Sequence, residues 1–277
     1  MFDLGNILVL TQKELHDARR NRWFVLYAVA FAGLSLALAW LALSGVEAGG
    51  LAGFSRTGAS LINVVLLIVP LMGLTLGALS LAGERERGTL LYLLAQPVTQ
   101  FEVLMGKYLG LALALLAALA LGFGLSGLLI AGLGGTAQAG NYLALVLLAF
   151  LLALTSLSLG FLISAAVKKG ATAVGLALFL WLLLVFFGDL GLMGTAVALR
   201  LGIGQLFALA LLNPLQVFKM ATILSIRSSL EVLGPAGLYA LRTYGGRLMP
   251  LLLTILIAWA ILPLVFTYLV FRQRGAL

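Results

Sequence analysis

The chain has 277 residues, of which 63% are hydrophobic and only 9% are charged, and its mean hydropathy is +1.18. A soluble domain of this size would leave much of that apolar surface in water, so the composition excludes a soluble protein and indicates an integral membrane protein. The net charge of +8 does not indicate a nucleic-acid partner, because the basic residues are distributed as membrane orientation requires. With no cysteine and one histidine, His16, we predict no metal site and no disulfide.

The N-terminal segment 1–22 is predicted to be an amphipathic elbow helix that lies at the membrane interface. Leu4, Ile7, Leu8 and Leu15 recur near helical spacing, and Trp23 follows where an aromatic belt would place it. The charged residues that lie between or after these apolar positions include Lys13, Glu14, Arg20 and Arg22. The first apolar run is too long for a signal-peptide core, so we expect it to remain uncleaved.

Six apolar runs follow, and each is about as long as the roughly 20 residues that span a bilayer as a helix. They cover about 23–44, 60–82, 108–133, 142–167, 171–190 and 249–271. The fold class predicted is therefore an all-α polytopic membrane protein with six transmembrane helices in a single permease domain, 1–277.

The orientation follows from the basic residues near the ends of these runs. One side holds Lys13, Arg19, Arg20, Arg22, Arg85, Arg87, Lys107, Lys168, Lys169, Arg272 and Arg274. The short loops of the other side hold only Arg56. The positive-inside rule then places both termini and the interval 83–107 in the cytoplasm.

Segment 191–248 is predicted to be a helical periplasmic segment, interrupted at Asn213-Pro214 and at Gly234-Pro235. Its first apolar stretch is short and contains Arg200, which weighs against another span. An eight-span arrangement would keep the same orientation, so hydropathy leaves that alternative open.

Small residues recur four positions apart inside the runs, a spacing that lets helix backbones approach closely. They are Gly73 and Gly77, Gly106 and Gly110, and then Ser156, Gly160 and Ser164. We predict that these positions are helix–helix contacts.

The interval 84–107 carries the densest polar sequence between two long apolar runs. Four alternating charges, Glu84–Arg87, precede Gly88-Thr89 and a short helix candidate, Leu90–Leu94, which Gln96-Pro97 would end. Thr99 and Glu102 have the spacing of a capping box, which predicts a second short helix. A rigid loop of this kind at a membrane surface indicates a contact with another molecule.

The membrane part has no evident energy source of its own. Carriers driven by ions usually keep carboxylates or histidines at bilayer depth, and the predicted spans have none there. Gly106-Lys107 lacks the upstream glycine of a phosphate-binding loop, so no nucleotide site is predicted. Work done by this chain would therefore have to be driven by another protein.

The interval resembles the signature of the ABC-2 class of ABC-transporter permeases, and the N-terminal segment is similar to that family's elbow helix. The resemblance rests on Glu84-Arg85, Gly88-Thr89, Leu90–Leu94, Pro97, Val98-Thr99 and Gly106-Lys107. It implies a non-catalytic subunit of the bacterial inner membrane that pairs with a second copy of itself and with two cytoplasmic ABC ATPases. Those ATPases would bind ATP and Mg, and this chain would bind no cofactor.

The resemblance also implies roles for particular residues. The ATPase-coupling residues would be Glu84, Arg85, Glu86, Arg87, Gly88, Thr89, Leu91, Leu94, Pro97, Val98, Thr99, Lys168 and Lys169. The elbow residues would be Lys13, Glu14, Arg20 and Arg22. Ala95 and Gln100 depart from residues common in the family, which affects details of the ATPase contact.

Within the family, Leu212–Lys219 resembles the permeases of transporters that mature nitrous oxide reductase. This implies a periplasmic β-helix partner in contact with Asn213, Pro214, Gln216 and Lys219. The implied task is delivery of a sulfur species, or help with copper loading, for a copper–sulfur cluster. Two other functions remain open from the residues: a stand-alone channel or carrier, and a membrane scaffold that moves no substrate and acts on a periplasmic partner.

Overall fold

A computed structural model describes residues 3–44, 52–134, 139–188, 202–225 and 234–274. Across these ranges the chain is helical and contains no strand, which confirms the predicted all-α class. Helices suit such an apolar sequence because each satisfies its own backbone hydrogen bonds away from water.

The helices begin with α1 (Leu4–Arg20) and α2 (Arg22–Ser44), which meet at a single residue, Asn21. The others are α3 (Ala52–Glu86), α4 (Thr89–Leu94), α5 (Gln100–Gly134), α6 (Ala139–Ala166), α7 (Gly170–Phe186), α8 (Ile203–Leu211), α9 (Pro214–Ser225), α10 (Gly234–Tyr244) and α11 (Leu248–Arg274).

Five described helices are long and apolar enough to cross a membrane. The candidate spans cover Arg22–Leu41, Ser60–Glu86, Gln100–Gly132, Ala139–Ala166 and Gly237–Gln273, and they confirm five of the six predicted runs. The remaining run, 171–190, corresponds to α7, which has 17 residues and a length of about 25 Å. That is shorter than a typical hydrocarbon core, and residues 189–190 lie outside the described part of the chain.

The centre of the bundle is the contact between α3 and α6, where glycines and serines bring the two backbones together. A Cβ added to Gly77 would lie 2.5 Å from the carbonyl oxygen of Leu157 and 2.9 Å from the Cα of Gly160. One added to Gly73 would meet the Cβ of Ser156 at 2.8 Å. The Ser164 hydroxyl accepts hydrogen bonds from the backbone of Leu81 and Ala82. The predicted small-residue contacts are confirmed.

Helices α8 and α9 form a bent pair, with an angle of 106° at Leu212-Asn213. The side chains of α9 from Pro214 to Phe218 and from Met220 to Ile223 are buried, whereas external amphipathic helices would leave one side exposed. This helix packs against α6 and α11 inside the bundle. The position of 191–248 outside the membrane stays a prediction. Residues 191–201 and 226–233 of this segment lie outside the described ranges. Counting the bent pair as one span gives at most six long spans in the described residues.

The N-terminal helix α1 packs along the start of α5. A Cβ added to Gly106 would lie 2.5 Å from the Leu10 Cβ, and one added to Gly110 would lie 2.6 Å from the Glu14 Cβ. The predicted close approach at these two glycines is therefore confirmed, and its partner is α1. The position of α1 at a membrane interface stays a prediction.

Candidate functional site

The short helix α4 connects α3 to α5 and has one side buried and another exposed. It begins after Gly88, whose φ of 74° is a left-handed conformation that suits glycine. The Thr89 hydroxyl donates to the Glu84 carbonyl oxygen at 3.2 Å. Leu90 is fully buried, whereas Leu91 and Tyr92 are 60% and 79% exposed. The helix is therefore anchored by Leu90, and its Leu91 and Tyr92 side chains are exposed.

The long helices extend further into the predicted loop than hydropathy indicates. Helix α3 ends at Glu86 and α5 begins at Gln100, which leaves α4 and its two short connections between them. Thr99 donates its backbone N–H to a Glu102 carboxylate oxygen at 2.9 Å, and its hydroxyl oxygen accepts from the Glu102 N–H at 3.2 Å. The capping box is confirmed, but it begins α5 itself. The prediction of a second short helix is wrong.

Glu102 also joins α5 to the beginning of α1. Its carboxylate accepts from the Asp3 backbone N–H at 2.8 Å and from the Asn6 side-chain amide at 3.3 Å. Asp3 in turn caps α1 by accepting from the Gly5 N–H at 2.8 Å. One carboxylate therefore orders the first turns of both helices.

A buried charge cluster connects α1, α3 and α5 next to α4. The Lys107 ammonium lies 2.6 Å from Glu14 Oε1 and 2.8 Å from Glu84 Oε1, and its side chain is only 1% exposed. Lys13 approaches the same Glu84 oxygen at 3.1 Å from the solvent side. A charge buried this deeply requires close partners, because removal from water costs several kcal/mol per ion. The cluster, Lys13, Glu14, Glu84 and Lys107, therefore fixes the relative positions of three helices.

The carboxylates around Lys13 shift its pKa upward. Partial burial lowers the pKa of Lys13, but the carboxylates of Glu84, Glu14 and Asp17 together outweigh this effect and raise it above the ordinary value. Asp17 lies 3.8 Å away, one helical turn further along α1. Two ammonium groups thus face the two carboxylates of the cluster.

Arg85 and Glu86 bind the next connection of the bundle, between α6 and α7. The Arg85 guanidinium donates to the carbonyl oxygens of Val167 at 2.7 Å and Ser164 at 3.4 Å, at the end of α6. The Glu86 carboxylate accepts from the Gly170 N–H at 2.8 Å, at the start of α7. Both contacts have the sign that the helix dipole favours, cation at a C-terminus and anion at an N-terminus. Lys168 and Lys169, between these two contacts, are exposed.

The predicted coupling residues thus fall into three groups. Glu84, Arg85 and Glu86 contact other helices of this chain, while Arg87, Thr89, Leu91, Pro97, Thr99, Lys168 and Lys169 are exposed and Gly88, Leu94 and Val98 are partly buried. Of the elbow residues, Lys13 and Glu14 belong to the charge cluster, whereas Arg20 and Arg22 are outside it. Their roles toward a partner stay predictions.

The residues predicted to contact a periplasmic partner lie apart from this site, at the α8–α9 bend. Asn213, Pro214 and Gln216 are buried, and Lys219 is partly buried. The Asn213 amide donates to the Leu184 carbonyl oxygen at 2.7 Å, and its side-chain oxygen accepts from the Leu215 N–H at 3.0 Å. Asn213 therefore begins α9 and ties it to α7, and a partner contact here stays a prediction.

Sequence reasoning missed Lys107 and Tyr92 as site residues. Hydropathy predicts Lys107 at the end of a loop, whereas the capping box at Thr99 places it two turns inside α5. Tyr92 lies on the opposite face of α4 from Leu90 and Leu94, a pattern that predicts its exposure. No three His, Cys, Asp or Glu side chains group as a metal site would require within the described residues.

We expect Glu86→Ala to destabilise the α6–α7 connection by about 1 kcal/mol, because the first N–H of α7 loses its carboxylate partner. The free energy of unfolding in mixed micelles, followed by tryptophan fluorescence against added SDS, measures this loss. Arg87→Ala is the matched control, since Arg87 is exposed and forms no ion pair in the described ranges. Equal stability of the two variants would contradict the capping role.

Comparison with known proteins agrees with this architecture. The sequence model of the ABC-2 family transporter proteins matches residues 8–276. The chain is 32% identical over 280 residues to a probable ABC transporter permease protein NosY of Stutzerimonas stutzeri, an alignment that covers 98% of this chain and 99% of the relative. A probable NosY permease of Pseudomonas aeruginosa is 35% identical over 227 residues, or 77% of this chain and 80% of the relative. The resemblance drawn from the sequence is confirmed, and the chain belongs to the ABC-2 family as a multi-pass membrane permease subunit of an ABC transporter.

Proposed function

We propose that this chain couples ATP hydrolysis by a cytoplasmic partner ATPase to movement of its membrane helices, and that α4 is the coupling helix. The observation that carries the proposal is the exposed pair Leu91 and Tyr92 on a helix whose opposite side is anchored by Leu90. An exposed apolar side chain beside an exposed aromatic one, on a short helix whose position is fixed, suits insertion into a groove of a partner.

The contacts behind α4 supply a path for force. Thr89 connects α4 to the Glu84 backbone, and the Glu84 side chain connects to Lys107 of α5 and, through it, to Glu14 of α1. Arg85 and Glu86 extend the connection to α6 and α7. A push on α4 would thus reach five helices through bonded groups. The bundle would respond as a unit.

The assembly proposed contains two copies of this chain and two ABC ATPases that hold ATP and Mg. Both termini and α4 would face the cytoplasm of a bacterium, with the chain in the inner membrane. This orientation is supported by the basic residues on that side, including the exposed Lys168 and Lys169. A periplasmic β-helix protein would contact the opposite side near α8 and α9.

The proposed task is delivery of a sulfur species, or assistance with copper loading, for the copper–sulfur cluster of nitrous oxide reductase. Its support is similarity to two relatives that carry the NosY name. A scaffold that moves no substrate is the second candidate. It is favoured by the sequence of 23–41, 60–82, 108–132, 142–166 and 249–271, which contains no Asp, Glu, His, Lys or Arg.

Replacing Leu91 and Tyr92 together by Ala is expected to lower the ATPase activity coupled to this chain at least about tenfold, since hot-spot aromatic and apolar contacts carry most of an interface's energy. The assay compares hydrolysis by the reconstituted complex with and without the permease. The control is Leu121→Ala with Leu128→Ala, because those leucines of α5 are 62% and 73% exposed but distant from α4 in the chain. Unchanged coupling in the α4 variant would refute the proposal.

Exposed residues are the appropriate choice for this test. Glu84→Ala would also break the buried cluster, so a loss of coupling in that variant would not separate partner contact from folding. Transport and scaffolding are distinguished by ATP-dependent flux of labelled sulfide or Cu(I) in vesicles that hold the complex. Flux supports transport, whereas maturation of the reductase without flux supports the scaffold.

A further inference from the structure

We infer that the corner between α1 and α2 is a binding site for one anionic phospholipid, with the phosphate on three arginines and an acyl chain along α2. An open groove of about 600 Å³ lies at this corner and is lined by Arg19, Arg20 and Arg22 together with Val25, Leu26 and Val29. The site requires only that the chain spans a membrane. It does not depend on the coupling proposed for α4.

The three guanidinium groups are available to a ligand. Arg19, Arg20 and Arg22 are all exposed, and within the part of the chain that the structure describes no carboxylate lies at ion-pair distance from any of them. This contrasts with Lys13 and Lys107, whose charges are matched by Glu14 and Glu84. Three unmatched arginines in four positions suit a phosphate, which guanidinium groups bind with paired hydrogen bonds.

The corner is held in a fixed geometry by Asn21. Its backbone N–H donates to the Ala18 carbonyl oxygen at 3.1 Å and ends α1. Its side-chain oxygen accepts from the Trp23 N–H at 3.0 Å, at the start of α2. The arginines therefore come from two helices whose junction is ordered, which distinguishes this cluster from a freely moving basic tail.

The apolar wall identifies the ligand as a lipid and not as a free anion. Val25, Leu26 and Val29 are 43%, 57% and 66% exposed and continue from Arg22 along one side of α2. Trp23, 64% exposed, marks the depth of the membrane interface at this level. A charged head group beside the arginines would thus place its acyl chain against that wall. Basic pockets at membrane-helix ends recognise anionic lipids in this manner.

Trp23 provides the reporter for a test. The full-length chain, with Trp40, Trp181 and Trp259 replaced by Phe, is placed in nanodiscs of phosphatidylcholine that contain a small fraction of brominated lipid. Brominated phosphatidylglycerol is expected to quench Trp23 fluorescence at a severalfold lower mole fraction than brominated phosphatidylcholine. Equal quenching by the two lipids would overturn the inference.

Variants and a competing anion complete the test. Replacing Arg19, Arg20 and Arg22 together by Gln is expected to abolish the preference. Arg20→Gln alone is expected to weaken the preference without abolishing it, and it serves as the test if the triple variant fails to fold. Arg272→Gln removes an exposed charge from α11 and should preserve the preference. Persistence of the preference in a folded triple variant would refute the site. If inorganic phosphate abolishes the lipid preference and NaCl of equal ionic strength does not, the corner binds a free anion instead.

Discussion

Replacing Lys107 by Met is expected to lower the free energy of unfolding by about 3–5 kcal/mol, the effect of breaking a buried ion pair on one side only. The Lys107 ammonium lies within 2.8 Å of two carboxylates, Glu14 and Glu84, which are themselves largely buried. Without it the two negative charges face the same small space, and only the half-exposed Lys13 remains to balance them. Unfolding against SDS measures the loss.

Two further variants separate charge imbalance from lost packing. A triple variant with Lys107→Met, Glu14→Gln and Glu84→Gln removes all three charges and should recover much of the stability, because neutral groups of similar shape carry no ionic desolvation cost. Lys13→Met should cost under about 1 kcal/mol, as expected of a half-exposed ion pair. If Lys107→Met and Lys13→Met prove equally stable, the central role assigned to Lys107 is incorrect.

Replacing Gly160 by Ala is expected to separate α3 from α6 and to destabilise the protein by about 3 kcal/mol, at the upper end of the usual cost of overpacking. The added Cβ would lie 2.5 Å from the Leu74 carbonyl oxygen and 2.9 Å from the Gly77 Cα. Both atoms belong to the backbone of α3, so no side-chain rotation relieves the contact. The same unfolding assay applies, and disulfide crosslinking between the two helices would report their separation.

Gly175→Ala in α7 and Gly124→Ala in α5 are the matched controls. Both positions are helical, and an added Cβ meets no atom within 4 Å at either one. Alanine favours a helix over glycine by up to about 1 kcal/mol, so the controls should be neutral or slightly stabilising. A similar loss at Gly160 and at the controls would indicate a general sensitivity to substitution, and it would count against a specific α3–α6 contact.

Features that depend on neighbours in sequence were predictable. The capping box of Thr99 and Glu102 and the short helix after Gly88 require only local hydrogen bonds. The glycine and serine positions on α3 and α6 were also predictable, because a four-residue repeat of small side chains describes a helix face directly.

Features that depend on distant segments were not. Lys107 binds Glu14, which is 93 residues away on α1, and Glu84, which lies on α3. Because neither partner is on the same helix as Lys107, no local sequence pattern predicts the cluster. The burial of α9 was missed for a related reason. Its apolar run is only 12 residues long and contains Lys219, which hides it from a search for full spans. The predicted helix ends were wrong because hydropathy identifies the residues inside the membrane and not the last helical turn. Helix α3 continues to Glu86 and α5 already begins at Gln100, both beyond the apolar runs.

The run Glu84, Arg85, Glu86 has a consequence for insertions and deletions. Successive side chains on a helix point about 100° apart, and these three reach three separate neighbours: Lys107, the end of α6 and the start of α7. Adding one residue anywhere between Gly77 and Glu84 would rotate the whole run and present each charge to the wrong neighbour. We expect length changes there to be tolerated far less than point changes at any one of the three.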